Sequence, residues 1–226
     1  MKKEFKLELF NGHPLITDEG NVILIDTGNP TTLHTSGTLS FMGEEHACST
    51  NLMGIDVSRI SEMIRTEIST LMGTDIISQY LVLFDYRNNS ITFSKEETDL
   101  PGSQEARLSS FMKVPLLNLQ IEENELSFML DSGAKLSYLD PEHTRDHPIT
   151  GEEEDFFPAI GRFKTECFEI PVKLGDETFT GRFGHLPSLL QQSLGLSGAA
   201  GIIGYDLFSS FRILLDLGKG IMKYTR

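Results

Sequence analysis

The chain contains two short apolar runs that each end in an aspartate, a small hydroxyl residue and a glycine. Residues 22–25 lead into Asp26-Thr27-Gly28, and residues 128–130 lead into Asp131-Ser132-Gly133. Short runs of apolar and β-branched residues are typical of buried strands, and a glycine after a polar residue is typical of a tight turn. The pattern therefore predicts two strands that each end at an aspartate. A carboxylate in such a half-buried position is costly unless it is hydrogen-bonded, paired or functional.

Other stretches of the chain also carry clear periodic patterns. Apolar residues alternate with charged ones over residues 5–9, which predicts an amino-terminal strand, and residues 38–47 predict another extended segment. Apolar residues at helical spacing predict an amphipathic helix over residues 56–68, with Asp56 as its N-cap.

The second half of the chain repeats the first. The matching residues lie 131 positions apart and are Gly73 with Gly204, Asp75 with Asp206, and Asp85 with Asp216. Each set contains an apolar-apolar-Gly segment, a short helical segment and a hairpin. We expect Asp75 and Asp206 to be N-caps and Asp85 and Asp216 to fix the hairpin turns. A tandem repeat of this length predicts two similar lobes.

Polar, turn-rich residues lie between the two copies. This composition predicts an amino-terminal lobe over residues 1–97, a linker over 98–108 and a carboxy-terminal lobe over 109–226. The second lobe is longer, because 28 positions separate Asp26 from Gly54 whereas 53 separate Asp131 from the corresponding Gly184. The extra residues fall at roughly 141–167, and their later part, 156–164, is expected to form a hairpin.

Composition narrows the possible partners and environment. The net charge is -14, with only 19 Lys and Arg residues, so we expect no nucleic-acid partner. Cys48 and Cys167 form no Cys-x-x-Cys motif, which favours a reducing compartment. No apolar stretch is long enough for a transmembrane helix and no signal peptide is recognisable, so the sequence predicts a cytoplasmic protein without a membrane partner, unless a leader has been removed.

The repeated aspartates suggest a specific chemistry. Two lobes related by an approximate two-fold axis would bring Asp26 and Asp131 face to face, where they could share one proton. One carboxyl group could then deprotonate a water while the other protonates or hydrogen-bonds a carbonyl oxygen, as amide hydrolysis requires. We expect the Thr27 and Ser132 hydroxyls to tie the turns together, and the Gly28 and Gly133 N–H groups to lie near the carboxylates.

These motifs, each followed downstream by an apolar-apolar-Gly segment (residues 71–73 and 202–204), resemble those of the aspartic proteases of the retroviral and pepsin types. The chain resembles a single-chain, bacterial-type fusion of two retropepsin-like lobes. The resemblance implies a mostly β fold with short helices and two pseudo-two-fold-related closed-barrel lobes. It also implies an aspartic endopeptidase that works as a monomer on an extended peptide or protein substrate, without metal or other cofactor.

The sequence departs from the family pattern in two respects. Asn29 and Ala134 follow the two glycines, so the outer hydrogen bonds of the carboxylates, and hence their pKa values, should differ. The first lobe is too short for the covering hairpin, or flap, of pepsin-like enzymes. We therefore expect a single flap from the second lobe, carried by Phe156, Phe157, Ile160 and Gly161.

Two other functions compete with the protease. A catalytically inactive peptide-binding module would have the same lobes with a distorted aspartate pair. A glycosidase would also use two acids, but it would not need both before glycines in duplicated halves. His143, His147 and Glu142 could suggest a metal site, yet Pro141 and Pro148 bracket them and a solvated loop is favoured.

Overall fold

The structure is a computed structural model that describes residues 1–157 and 160–226, and it is mostly β, as the sequence predicts. The strands of the first half are β1 (Lys2–Lys6), β2 (Glu8–Phe10), β3 (His13–Asp18), β4 (Asn21–Ile25), β5 (Leu33–His34), β6 (Thr38–Phe41), β7 (Glu44–Ala47), β8 (Thr70–Met72), β9 (Leu81–Asp85) and β10 (Ser90–Ser94). Those of the second half are β11 (Gln104–Phe111), β12 (Val114–Ile121), β13 (Asn124–Leu130), β14 (Ser137–Leu139), β15 (Gly151–Phe157), β16 (Gly161–Leu174), β17 (Glu177–Gly184), β18 (Gly201–Ile203), β19 (Arg212–Asp216) and β20 (Ile221–Thr225). The helices are α1 (Val57–Ile64), α2 (Thr74–Ile77), α3 (Ser188–Gly195) and α4 (Tyr205–Ser210), with a 3-10 turn at Pro141–His143.

A long sheet connects the two halves of the chain. Its strand order is β1-β10-β9-β19-β20-β11-β12-β13-β18-β14-β17-β16-β15, and a separate sheet has the order β2-β3-β4-β8-β5. The halves meet where β9 pairs antiparallel with β19, with Phe84 opposite Ile213 and Val82 opposite Leu215. Strand β11 begins at Gln104, inside the predicted linker, and pairs with both β12 and β20. Part of that linker is therefore strand, and the boundary between lobes stays a prediction.

The second half contains a run of strands that returns on itself. β12 pairs with β16 as well as with β13, so the run β12-β13-β18-β14-β17-β16 is connected at both ends. Among the pairings of the described residues, the β2-β3-β4-β8-β5 sheet has no such second connection. Closed barrels in both lobes therefore stay a prediction.

The main hydrophobic core draws on both halves. Phe84 of the first half and Phe208 of the second have ring centroids 4.9 Å apart, and both side chains are fully buried. Each fully buried side chain of this size contributes about 1.5–3 kcal/mol. The β6–β7 hairpin fills the predicted extended segment at 38–47, and its Leu39 and Phe41 are buried in the same core.

Helix α1 is shorter than the pattern predicts. It begins as expected, because the Asp56 side chain accepts a hydrogen bond from the Arg59 N–H at 2.8 Å. It ends at Ile64, not at residue 68, because Arg65 adopts the left-handed conformation with φ of 61°. Ile68 is nevertheless buried in the same apolar cluster as Ile60 and Ile64. No helix of the described residues is long and apolar enough to cross a membrane.

Candidate active site

The two aspartate turns follow equivalent strands, β4 and β13. β4 pairs parallel with β8 and β13 pairs parallel with β18, so each aspartate follows a central buried strand. The Asp26 N–H donates to the Met72 oxygen and the Asp131 N–H donates to the Ile203 oxygen, both at 3.0 Å. Each turn is therefore hydrogen-bonded to a neighbouring strand of its own half, β8 or β18.

The apolar-apolar-Gly segments hold the far side of each turn in the same way. The Thr74 N–H donates to the Asn29 oxygen at 2.8 Å, and the Tyr205 N–H donates to the Ala134 oxygen at 3.0 Å. A Cβ atom added to Gly73 would lie 2.7 Å from the Asn29 oxygen, and one added to Gly204 would lie 2.3 Å from the Ala134 oxygen. The glycines therefore permit a close backbone approach that any side chain would prevent.

Thr27 and Ser132 join the two turns directly. The Thr27 N–H donates to Ser132 Oγ at 3.1 Å, and the Ser132 N–H donates to Thr27 Oγ1 at 2.9 Å. Each hydroxyl then donates across to the other half, Thr27 to the Leu130 oxygen at 2.7 Å and Ser132 to the Ile25 oxygen at 2.8 Å. Both side chains are fully buried, so the reciprocal network is shielded from water.

The two carboxyl groups lie across from each other at the floor of a cleft. They are within hydrogen-bonding reach of one another, and Asp131 Oδ1 also accepts from the Gly133 N–H at 2.8 Å. A Cβ atom on Gly28 would lie 2.3 Å from the Asp131 carboxyl carbon, and one on Gly133 would lie 2.9 Å from that of Asp26. Each carboxyl group therefore rests over the glycine of the opposite turn.

This arrangement makes the two acids unequal. Burial and the charge of Asp131 raise the pKa of Asp26 well above its ordinary value, and the hydrogen bond between the carboxyls raises it further. Burial also raises the pKa of Asp131, but the Gly133 N–H and the bond from Asp26 oppose that rise. The pKa of both acids is therefore raised, and that of Asp26 is raised more strongly.

The residues that follow the two glycines act on the carboxyl groups through their backbone. The Asn29 side chain accepts from the Thr31 N–H at 3.2 Å and so serves its own turn, and Ala134 has no polar side chain to offer. The difference comes from the pair itself and from the backbone N–H groups near it. The backbone N–H groups of Asn29 and Ala134 lower the pKa of Asp26 and Asp131, respectively, and a difference between these outer bonds stays a prediction.

The extra residues of the second half form a hairpin beside the cleft. β15 and β16 pair antiparallel from Gly151 opposite Cys167 to Phe157 opposite Gly161; the hairpin tip, 158–159, lies outside the described residues. Phe156 and Phe157 line a cleft of about 610 Å³ together with both aspartates. Ile160, which is 41% exposed, and Gly161 are not among its lining residues.

The hairpin is anchored to both halves. Within the second half, the Tyr138 hydroxyl donates to Asp155 on β15. Towards the first half, Arg162 on β16 donates from Nη2 to the Met63 oxygen, near the end of α1, at 3.0 Å. The Phe156 side chain packs against the apolar cluster under α1. The hairpin thus spans the cleft from one half to the other.

Comparison with known proteins adds little to this geometry. No family model and no curated protein matches the chain. Among solved structures it is similar to a retropepsin-like aspartic protease from Rickettsia conorii, with 17% sequence identity, a TM-score of 0.38, and coverage of 54% of this chain and 89% of that chain. A likeness of this extent carries no argument about function.

The structure corrects the roles expected of Asp75 and Asp206. Gly73 and Gly204 are the N-caps of α2 and α4, and the aspartates lie in the first helical turn. Asp75 accepts from the Thr32 hydroxyl at 2.5 Å, and Asp206 accepts from the Ser137 hydroxyl at 3.3 Å. These carboxylates bind the segments after the aspartate turns, and Asp75 also accepts from the Ile76 N–H of its own helix at 3.0 Å.

Thr32 and Ser137 are supporting residues that the motif analysis missed. Their hydroxyls accept from the Gly73 N–H at 3.0 Å and the Gly204 N–H at 3.2 Å, respectively, so each binds a glycine of an apolar-apolar-Gly segment. A signal was present in the sequence, because each hydroxyl residue lies six positions after its aspartate, Asp26 or Asp131.

Proposed function

We propose that the protein is an aspartic endopeptidase that hydrolyses peptide bonds with a water activated between Asp26 and Asp131. The observation that carries this proposal is the pairing of two carboxyl groups within hydrogen-bonding reach, each over the glycine of the opposite turn. Two such acids with unequal pKa values supply one base and one acid in the same pH range.

In this proposal Asp26 holds the shared proton and Asp131 is ionised. Asp131 removes a proton from the water as the water oxygen attacks the peptide carbonyl carbon. Asp26 donates its proton to the carbonyl oxygen. The tetrahedral intermediate then loses its amine: the C–N bond breaks, Asp131 returns a proton to the nitrogen, and the hydroxyl proton goes back to Asp26. The dyad ends in its starting state, so no further co-reactant is needed.

We propose further that the molecule consists of two lobes related by an approximate two-fold axis, and that one chain is the working unit. The recurrence of the same backbone bonds around both turns supports this arrangement, as does the returning strand run of the second half. In this proposal the substrate lies extended in the cleft of about 610 Å³, and the β15–β16 hairpin is the flap that covers it. Phe156 and Phe157 would contact the substrate directly.

The test is cleavage of a diverse peptide library from acid to neutral pH, with products mapped by mass spectrometry. Wild type should cut internal bonds, and Asp26→Asn and Asp131→Asn should each lower kcat by about a thousandfold or more, because each removes one of the two proton-transfer roles. Asp56→Asn is the matched control, because asparagine caps a helix as well as aspartate does. Peptide binding without cleavage at any pH would favour the non-catalytic binding module.

A further inference from the structure

His13 is a buried titratable residue for which the proposed mechanism has no use. It begins β3, directly after a turn in which Asn11 and Gly12 have φ of 50° and 84°, and only 4% of its surface is exposed. Its Nδ1 lies 2.7 Å from the carbonyl oxygen of Gly133 in the other half of the chain. A carbonyl oxygen can only accept, so Nδ1 must carry the proton that donates to it.

This contact holds Gly133, which lies in the Asp131 turn. The N–H of Gly133 donates to Asp131 Oδ1 at 2.8 Å, while the carbonyl oxygen of the same residue accepts from His13. Gly133 is therefore held through both of its polar groups. Because a backbone donor is effective only when it points along the acceptor's lone pair, fixing this residue fixes the direction of the bond to Asp131.

The position of His13 is itself set by close packing between the halves. A Cβ atom on Gly12 would lie 3.0 Å from Cβ of Lys135, so the turn before His13 abuts the segment after the Asp131 turn. On its other side the imidazole lies 6.0 Å, centroid to centroid, from the ring of Phe156 on the flap hairpin. One side chain thus contacts both the Asp131 turn and the flap.

At the corresponding position the second half has a valine instead of a histidine. There the corresponding β11–β12 turn has positive φ at Met112 and Lys113, 49° and 70°, and the residue that follows it is Val114. Valine cannot donate a side-chain hydrogen bond to the opposite turn. Among the described residues, this support is therefore given to the Asp131 turn.

We propose that His13 is a positioning residue for the dyad, in which a neutral imidazole donating from Nδ1 to Gly133 keeps the Asp131 turn in its productive geometry while the ring packs beside Phe156 of the β15–β16 hairpin. This proposal rests on the proposed protease function. The neutral state fits the surroundings, because burial and the Lys135 charge both lower the pKa of His13. The bond to Gly133 and the Asp155 charge raise the pKa, but the net shift is downward. Other charged groups line the polar cavity next to the ring: Arg65, Glu153, Glu154 and Arg162.

Two substitutions separate the hydrogen bond from the ring contact. His13→Asn keeps a donor near the position of Nδ1 but loses the ring, whereas His13→Phe keeps a ring against Phe156 but has no donor. We expect His13→Phe to lower kcat about 10- to 100-fold with KM changed less than about threefold, and His13→Asn to recover most of kcat. Equal loss in both variants, or no loss in His13→Phe, would overturn the proposal.

A spectroscopic measurement on the wild-type protein does not depend on either variant or on activity. Long-range proton–nitrogen-15 NMR correlations distinguish the two neutral tautomers of histidine, and the His13 signals are identified by their absence from the His13→Asn spectrum. We expect the Nδ1–H tautomer at neutral pH; the Nε2–H tautomer would overturn the proposal. If wild type cleaves no peptide, the protease function fails, and the tautomer alone then decides whether His13 anchors the Asp131 turn.

Discussion

In the first half of the chain the Asp26 N–H donates to the Met72 oxygen, and in the second half the Asp131 N–H donates to the Ile203 oxygen, each at 3.0 Å. The surroundings of the two turns nevertheless differ. Asp131 Oδ1 receives the Gly133 N–H, whereas Asp26 Oδ1 is buried and has no hydrogen-bond partner among the described residues. Among the described residues, the β15–β16 hairpin comes from the second half, and the histidine that contacts the Gly133 oxygen comes from the first.

This contrast separates two jobs of the structure. Equivalent backbone bonds bring two like acids to the same buried place. Burial raises the pKa of both, and the charge of Asp131 raises that of Asp26 further. The neighbours of the two acids are unequal, and the pKa of Asp26 is raised more strongly. In the proposed mechanism, a perfectly symmetric environment would leave the proton equally shared, so the differences between the halves would assign one acid and one base.

Among substitutions that leave both aspartates in place, the largest effect is expected where each turn approaches the opposite carboxyl group. Gly28→Ala would place Cβ 2.3 Å from the Asp131 carboxyl carbon, and Gly133→Ala would place it 2.9 Å from that of Asp26. We expect kcat to fall on the order of 100-fold or more, and more for Gly28→Ala, because displacement of a reacting group by about 1 Å has effects of that size. Gly195→Ala, with open space around its Cβ, is the control and should retain full activity. Equal activity of both variants with wild type would show that the carboxyls do not meet over these glycines.

The next effect tests whether the halves depend equally on their reciprocal hydroxyl bonds. Thr27→Val and Ser132→Ala each remove one acceptor and one donor from a fully buried network. Each should lower the free energy of unfolding by about 2 kcal/mol or more, and the double variant by less than the sum, because the residues share bonds. Urea denaturation measures this. Thr98→Val, which removes one exposed bond to the Glu96 oxygen, should change little.

A smaller effect concerns the cost of burying the acids. Folding raises the pKa of Asp26, so the folded state favours its protonated form. The stabilisation from this group is fully present below its unfolded pKa, near 3.8, and is lost as the pH rises through the folded pKa. Asp26→Asn removes the ionisable group, so the variant should be more stable than wild type at neutral pH, by about 1.4 kcal/mol for each unit of pKa shift. The gain should shrink near pH 4. It should be smaller for Asp131→Asn, whose pKa is raised less; a larger gain there would reverse the assignment of the proton.

Several features of the fold and of the candidate site could be predicted from local sequence patterns. The apolar runs before Asp26 and Asp131 identify the central strands, and the repeat in the downstream glycines identifies the segments that hold the turns. The extra residues of the second half also form a hairpin next to the aspartates, as their position predicts. These features are set by neighbours in sequence or by repetition, so they can be detected without the fold.

The remaining features depend on residues distant in sequence. His13 and Gly133 are 120 positions apart, and nothing in the alternating pattern of β3 distinguishes a histidine that binds a backbone carbonyl from one that fills a core. Asp75 follows a glycine at a helix start and so resembles an N-cap, but the Thr32 hydroxyl, 43 positions away, is its partner. Such contacts follow from how strands pack, which local periodicity does not encode.

The smallest effect concerns the bond that connects the flap of the second half to α1 of the first. Arg162 donates to the Met63 oxygen at 3.0 Å and to Glu154 at 3.2 Å, but its side chain is 40% exposed, so each bond is partly replaceable by water. Arg162→Met should raise KM about two- to fivefold and leave kcat within about twofold, because the flap opens more readily while the dyad is untouched. Arg87→Met is the matched control: Arg87 also donates across the halves to a backbone oxygen, that of Ser210 at 2.7 Å, yet it does not line the cleft. A similar rise in KM for both variants would mean that general contact between the halves, and not the flap, controls substrate binding.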